Sequence, residues 1–359
     1  MRLSGMTALA LSAVVTVVML ALQVWVFGWV VDQYVVVETP QQVLKAGMGT
    51  EERSSVYEEL QPTPVVLMHG MGDAAGNTGM KRIRDLVAKQ LTTYAVNIQI
   101  GKSVDEDVKN SFFLTMDDQV DIFAREVRKD PQLHGGFNAM GFSQGNLLIR
   151  AYIERYNDPP VLNFVSFHGP LAGVGALPQC KPTQFICKQI DRLISGAVYS
   201  NYVQSKNCRV MHVSGDPLCS RPILSAHLAQ ANYFRDPRKI PEYLRLAKFL
   251  PDINNEKPHV NATYKANFVQ LRSLVLVRAK RDTQVFPKES EWFGAYADGD
   301  YDRILGFNET RWYQEDLFGL QTLDKAGKVH FLETDGNHLQ FSTEFLLQVI
   351  SQYFAPVVM

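Results

Sequence analysis

Phe137-Asn138-Ala139-Met140-Gly141-Phe142-Ser143-Gln144-Gly145 is the stretch on which the fold of this chain turns. A short apolar strand runs into Gly-x-Ser-x-Gly, and Asn146-Leu147-Leu148-Ile149-Arg150-Ala151-Tyr152-Ile153 continues as a helix. In that setting the pentapeptide reads as a nucleophile elbow, a strained strand-to-helix turn that lifts a serine hydroxyl above the sheet. The turn is tight, so a side chain at either glycine position would collide with its neighbours. Five small residues match by chance in many proteins; the flanking strand and helix carry the reading.

Outward from the elbow, strands and helices alternate. Pro64-Val65-Val66-Leu67-Met68 is a continuous apolar run, as expected of a strand buried on both faces. Val96 to Ile100 alternates as the next strand, and Val120, Phe123 and Val127 recur at helical spacing between Asp117 and Lys129. Val161–Phe167, Leu271–Val277 and Val329–Leu332 supply further strands, and Glu344–Phe354 a closing helix. This order predicts an α/β protein built on a mostly parallel, doubly wound sheet. Residues from about 170 to 268 break the alternation with glycine, proline and irregular apolar clusters. An insertion there, on the side where the serine emerges, reads as a cap over the site.

A serine hydroxyl is a weak nucleophile near neutral pH and needs a base within hydrogen-bond reach. In this architecture the partners follow in the order Ser, acid, His. Of the eight histidines, His338 fits: it closes the loop after the strand ending near Glu333 and precedes the last helix. His330 falls inside a strand, while His69, His134, His168, His212, His227 and His259 precede the acid position. Asp282, just beyond a strand's carboxyl end, is the expected acid. Asp335 is the runner-up, and Asp298, Asp300 and Asp302 read as a solvated loop. Ser143 would attack, His338 would take and return the proton, and Asp282 would orient the imidazole. The backbone N–H groups of Gln144 and Met71, the latter in His69-Gly70-Met71-Gly72-Asp73, are the expected oxyanion donors.

The 359 residues are 46% apolar and 20% charged, ordinary for a protein with a substantial core. A net charge of −1 gives no electrostatic reason to expect a nucleic-acid partner. No metal or organic cofactor is implied. Leu3 to Val31 carries no charge, long enough to span a bilayer, with Arg2 before it and Asp32 after it. Residues 1–31 therefore read as a signal peptide or a retained signal-anchor; the lack of a small-x-small cleavage site leans towards the anchor. Residues 32–60 read as a stem and 61–359 as the globular body. Cys180, Cys187, Cys208 and Cys219 form an even set suited to disulfides in an exported chain, with connectivity open. Zinc is the competing reading, disfavoured because no Cys-x-x-Cys spacing is present. Asn261-Ala262-Thr263 and Asn308-Glu309-Thr310 are glycosylation sequons.

Together these segments resemble the palmitoyl-protein thioesterases of the α/β-hydrolase superfamily. The resemblance lies in Met68–Asp73, in Asn138–Gly145, in Asp282–Gly294 (DTQVFPKESEWFG) and in Gly336–Gln340. It extends to Asp105–Phe113, Leu177–Cys180, Asp252–Asn254 and Asn261–Lys265, and covers the body from about Pro64 to Phe354. It implies an α/β-hydrolase fold and hydrolysis of long-chain acyl thioesters on protein cysteines in a lysosomal or related lumen. It also implies a Cys180–Cys187 bridge and a cap that shapes an apolar acyl groove. Leu171, Val174, Leu177, Ile186, Ile190 and Leu193 are candidate lining residues. Three features depart from the family pattern: Ala74-Ala75, Asn146 in place of a glycine, and the divergent stretch 206–221. Neither Ala74-Ala75 nor Asn146 is expected to touch the catalytic groups. A lipase or carboxylesterase acting on oxyesters would use the same triad. A silent, membrane-tethered lipid-binding protein would lack a triad member, and none is missing.

Overall fold

The computed structural model describes residues 62–176, 198–199 and 229–355. An apolar run without alternation has no face to turn to water, so β1 (Val65–Met68) lies buried along its whole length, one strand in from the edge of a sheet. Its neighbours are β2 (Ala95–Asn97) and β3 (Phe137–Phe142), followed outward by β4 (Val161–Phe167) and β5 (Ser273–Ala279). The short antiparallel pair β6 (Ala295–Tyr296) and β7 (Ile304–Leu305) stands apart, and β8 (Val329–Thr334) completes the main sheet. That sheet runs β2-β1-β3-β4-β5-β8, with every pair parallel. The expected class and parallel sheet therefore hold. Edge strand β8 mixes exposed and half-buried residues, because an outer strand is covered less.

Among the described residues, the helices of seven or more residues are α1 (Thr78–Leu91), α2 (Val104–Phe113), α3 (Met116–Lys129), α4 (Gly145–Arg155), α5 (Ile240–Leu246), α6 (Ala262–Phe268) and α7 (Thr343–Tyr353). Their ends follow local chemistry. The Thr115 hydroxyl accepts the Asp118 N–H, Asp117 and Asp118 sit in the first turn of α3, and Arg128 and Lys129 in its last. Ser342 caps α7 in the same way through the Phe345 N–H. The buried stripe of α3 includes Val120, Phe123 and Val127, the residues whose spacing predicts it.

In α2 the buried residues are Asp107 and Ser111, so a polar face packs inward and apolar periodicity is silent. In α1 the buried Met80, Ile83 and Val87 recur at the same spacing as in α3, a stripe not among those read from the sequence. The predicted strand Val96–Ile100 also ends early. The Ile100 N–H turns away from the ladder to the Asp107 carboxylate, 2.7 Å away.

The β4–β5 connection spans the segment read above as a cap. Of its described part, α6 packs against α4 on the sheet, while Leu171 and Val174 belong to the buried core. The other candidate groove residues and all four cysteines lie outside the described residues, as do segments 1–31 and 32–60 and the stretch 206–221. Among the described residues no helix is long and apolar enough to cross a membrane.

Helix α4 is anchored by a buried cation. Arg150, fully buried, donates from Nε to Glu154 Oε1 at 2.8 Å, from Nη1 to the Leu171 carbonyl at 2.6 Å and from Nη2 to the Ile253 carbonyl at 3.0 Å. Its guanidinium also stacks 4.2 Å from the centre of the Phe318 ring. Burial pushes the Glu154 carboxyl up to about 7 against the opposing pull of Arg150. Removing the cation leaves a buried carboxyl and two carbonyls without donors. Arg150→Met is therefore expected to destabilise the fold by about 3–5 kcal/mol. The readout is a lower denaturation midpoint at unchanged m-value; a loss below about 1 kcal/mol would mean apolar packing replaces the network.

Candidate active site

At the carboxyl end of β3 the chain must reverse into α4 within two residues, and Ser143 takes the strain with φ of 50°. The Ser143 N–H is held by the Phe167 carbonyl at 3.0 Å. A Cβ on Gly141 would stand 2.3 Å from Asn146 Oδ1, and one on Gly145 2.4 Å from the His69 carbonyl oxygen. Both glycines are thus fixed by contact. The result is a half-exposed hydroxyl on a rigid, buried base.

Two loops bring partners to it. The loop after β8 carries His338, whose Nε2 lies 2.9 Å from Ser143 Oγ. The loop after β5 carries Asp282, whose Oδ2 lies 2.5 Å from His338 Nδ1. With a carboxylate on one side, Nδ1 carries the proton and Nε2 presents its lone pair to the serine O–H. Asp282 Oδ1 accepts the N–H groups of Gln284 and Val285 at 2.6 and 2.8 Å. Burial alone would raise this carboxyl. The adjacent imidazole, a contact with Glu291 and the Val285 N–H outweigh it and hold Asp282 well below the usual carboxylate range.

Three residues that the sequence reading assigned no part hold these loops. Asn337 Oδ1 accepts the N–H groups of His338 (2.7 Å) and Thr283 (2.9 Å), stitching the base loop to the acid loop. His168, fully buried at the end of β4, accepts the Leu339 N–H on Nδ1 at 2.7 Å and contacts Thr334 Oγ1 through Nε2 at 3.0 Å. Burial, then the neighbouring His338, pushes it down to about 3, so it serves as a neutral strut. Asn146, expected to leave the catalytic groups alone, instead donates from Nδ2 to the carbonyls of Ser143 and Phe167, both at 3.0 Å. A position read only as a missing glycine gave no hint of this brace.

The loop expected to supply an oxyanion donor follows β1. Gly70 packs against Ser143, since a Cβ there would lie 3.0 Å from the serine Cβ. The Gly72 N–H donates to Ser111 Oγ at 2.8 Å and the Asp73 N–H to the Gly70 carbonyl at 3.4 Å. Among the described residues, the N–H groups of Met71 and Gln144 donate to nothing. Two unengaged donors beside a nucleophile are what a developing oxyanion requires. The loop is braced from below: His69 Nε2 meets Asp107 Oδ1 at 3.2 Å, and the Ala75 N–H donates to Asp107 Oδ2 at 2.9 Å. Burial would lower the His69 ring, but the Asp107 hydrogen bond and charge outweigh it and raise it. The Gln144 side chain is pinned between the Ser111 carbonyl and the Tyr233 hydroxyl.

Asp335 is exposed and pairs with Lys280 at 2.7 Å; Asp298, Asp300 and Asp302 are exposed. His330 is half-buried against Tyr353 rather than enclosed in the core. His168, Asp282 and His338 stand close enough to share an ion. Both His168 nitrogens are already engaged, which leaves too few ligands for a metal. Asn261 and Asn308 are exposed.

Known proteins share this sequence pattern. Residues 64–338 match the family model described as Palmitoyl protein thioesterase. Palmitoyl-protein thioesterase 1 of Caenorhabditis elegans is 37% identical over 294 residues, covering 81% of this chain and 91% of that protein. Palmitoyl-protein thioesterase 3 of Dictyostelium discoideum is 35% identical over 276 residues, covering 77% and 84%. A lysosomal thioesterase homologue of Drosophila melanogaster is 27% identical over 310 residues, covering 84% and 94%.

Proposed function

The chain belongs to the palmitoyl protein thioesterase family, and from that premise we propose that Ser143, His338 and Asp282 hydrolyse long-chain acyl thioesters on protein cysteines. The observation that carries the assignment is the continuous contact from Ser143 Oγ through both His338 nitrogens to Asp282 Oδ2. The protein is a thioester hydrolase of α/β-hydrolase fold, and its substrates are S-acylated proteins or peptides.

Ser143 Oγ attacks the thioester carbonyl as its proton passes to His338 Nε2, and the imidazolium is held by the Asp282 carboxylate. Negative charge gathers on the former carbonyl oxygen, where the N–H groups of Met71 and Gln144 stabilise it. His338 returns the proton to the departing thiolate. Water, activated by the same imidazole, then releases the fatty acid. An apolar chain supplies about 0.8 kcal/mol of binding for each buried methylene.

A lysosomal or related lumenal site of action is supported by the lysosomal relatives. The exposed sequon asparagines, the four cysteines and the apolar run 3–31 fit the same route. On this reading residues 1–31 are a signal peptide or signal-anchor, and disulfides form among the cysteines, with Cys180–Cys187 one of them.

The test is turnover of a palmitoyl-cysteine peptide beside its serine oxyester counterpart. The thioester is expected to be cleaved with the higher kcat/KM. A reversed preference would assign the site to oxyester hydrolysis.

A further inference from the structure

Behind the triad lies a second carboxyl. Glu291, in the helical turn Lys288–Trp292, is fully buried, and its carboxyl faces that of Asp282 at the end of β5, where the Asp282 N–H donates to the Ala279 carbonyl at 3.3 Å. The turn is strapped to β5: Glu291 Oε2 accepts the Ala279 N–H at 2.7 Å, and the Trp292 indole N–H donates to the Leu276 carbonyl at 3.0 Å. Glu291 Oε1 is buried and meets no donor among the described residues. An orphaned carboxylate oxygen beside another carboxylate is doubly costly, and two such groups in contact cannot both ionise.

The question is which group keeps the proton. Asp282 receives two backbone N–H groups and the imidazole N–H. Glu291 receives one. The one cation facing Glu291 from β5, Arg278, is drawn to Glu333 at 2.7 Å and to Glu289 at 3.9 Å, and lies over the Trp292 ring. Lys280, beyond it, is exposed and paired with Asp335. Every asymmetry assigns the negative charge to Asp282.

We propose that Glu291 is a neutral carboxylic acid whose Oε1–H donates to the Asp282 carboxylate, making it a positioning residue for the triad acid. The inference rests on the triad assignment above and deepens it. Burial, then the Asp282 charge, pushes the Glu291 carboxyl well above its ordinary value, in keeping with that proton. A donor on Asp282 both fixes the carboxylate and draws charge away from the imidazole. A weaker charge on the carboxylate holds the imidazolium less tightly, so loss of the donor is read in the pH dependence of the rate.

The test compares Glu291→Gln and Glu291→Leu in the purified full chain. Glutamine reproduces the neutral acid: its oxygen can accept the Ala279 N–H and its N–H can donate to Asp282. Glu291→Gln is therefore expected to keep kcat/KM within about twofold and leave the acidic limb of its pH profile in place. Glu291→Leu removes the donor. It is expected to lower kcat/KM about tenfold and move that limb up by about one pH unit, as the imidazolium meets the full carboxylate charge. Infrared difference spectra at neutral pH should show an un-ionised carboxyl band in the wild type that Glu291→Gln lacks. A profile shifted in Glu291→Gln, or no such band, would overturn the proposal. The band reports the proton without reference to turnover, so it separates this failure from failure of the triad itself, which Ser143→Ala reports.

Discussion

Ser143→Ala is expected to lower kcat on palmitoyl-cysteine peptide by about 10⁶-fold, as losses of an activated serine do. Among the described residues, the hydroxyl is the one group His338 Nε2 hydrogen-bonds, 2.9 Å away. Alanine offers no oxygen, and the imidazole would be left with only a distant water to activate. The fold should survive, because the elbow is held by backbone bonds to Phe167 and by the Asn146 amide. Some acceleration over the uncatalysed reaction should persist, about 10³-fold, from the oxyanion donors and binding. Because serine and histidine act as a unit, Ser143→Ala with His338→Ala should cost little more than either change alone. Covalent labelling by a serine-directed phosphonate should vanish in the single variant. Retention of more than a tenth of wild-type turnover would remove Ser143 as nucleophile.

Much of this site is legible in the sequence, for a physical reason. Nucleophile elbows are constrained by close backbone approach, so Gly141 and Gly145 announce themselves by having no side chain. Strands buried on both faces announce themselves by unbroken apolarity, as Val65–Met68 does. The loops that carry acid and base must follow strands, which limited the choice to Asp282 and His338. What stayed hidden was polar and distant in sequence. Asp107 reaches back to His69, Ala75 and Ile100, yet α2 shows no apolar stripe to betray its inward face. Chain order argues against His168 as the base, but order says nothing of a strut that holds Leu339. Glu291 sits in a run of mixed polar and aromatic residues, and only burial beside Asp282 separates it from Glu289, which reaches towards Arg278. Periodicity detects faces; it cannot detect which two polar groups will meet.

Asp282→Asn is the sharper test of the triad, because it alters no shape. The expected loss in kcat is about 10⁴-fold, and the hydrogen bonds of the acid loop explain why. Asp282 Oδ1 accepts two N–H groups, from Gln284 and Val285. An asparagine must therefore place its carbonyl oxygen there and turn its NH₂ towards His338. A donor facing Nδ1 forces that nitrogen to accept, so the ring proton moves to Nε2 and points at Ser143 Oγ. The base then has no lone pair to offer the nucleophile. The imidazolium also loses its counter-charge, so no rearrangement of water restores the rate. Asp335→Asn is the control: its side chain is 83% exposed and paired with Lys280. That change should leave kcat/KM within about twofold, since exposed pairs contribute little. A loss in Asp335→Asn matching that of Asp282→Asn, or a loss below about 100-fold in Asp282→Asn, would move the acid elsewhere.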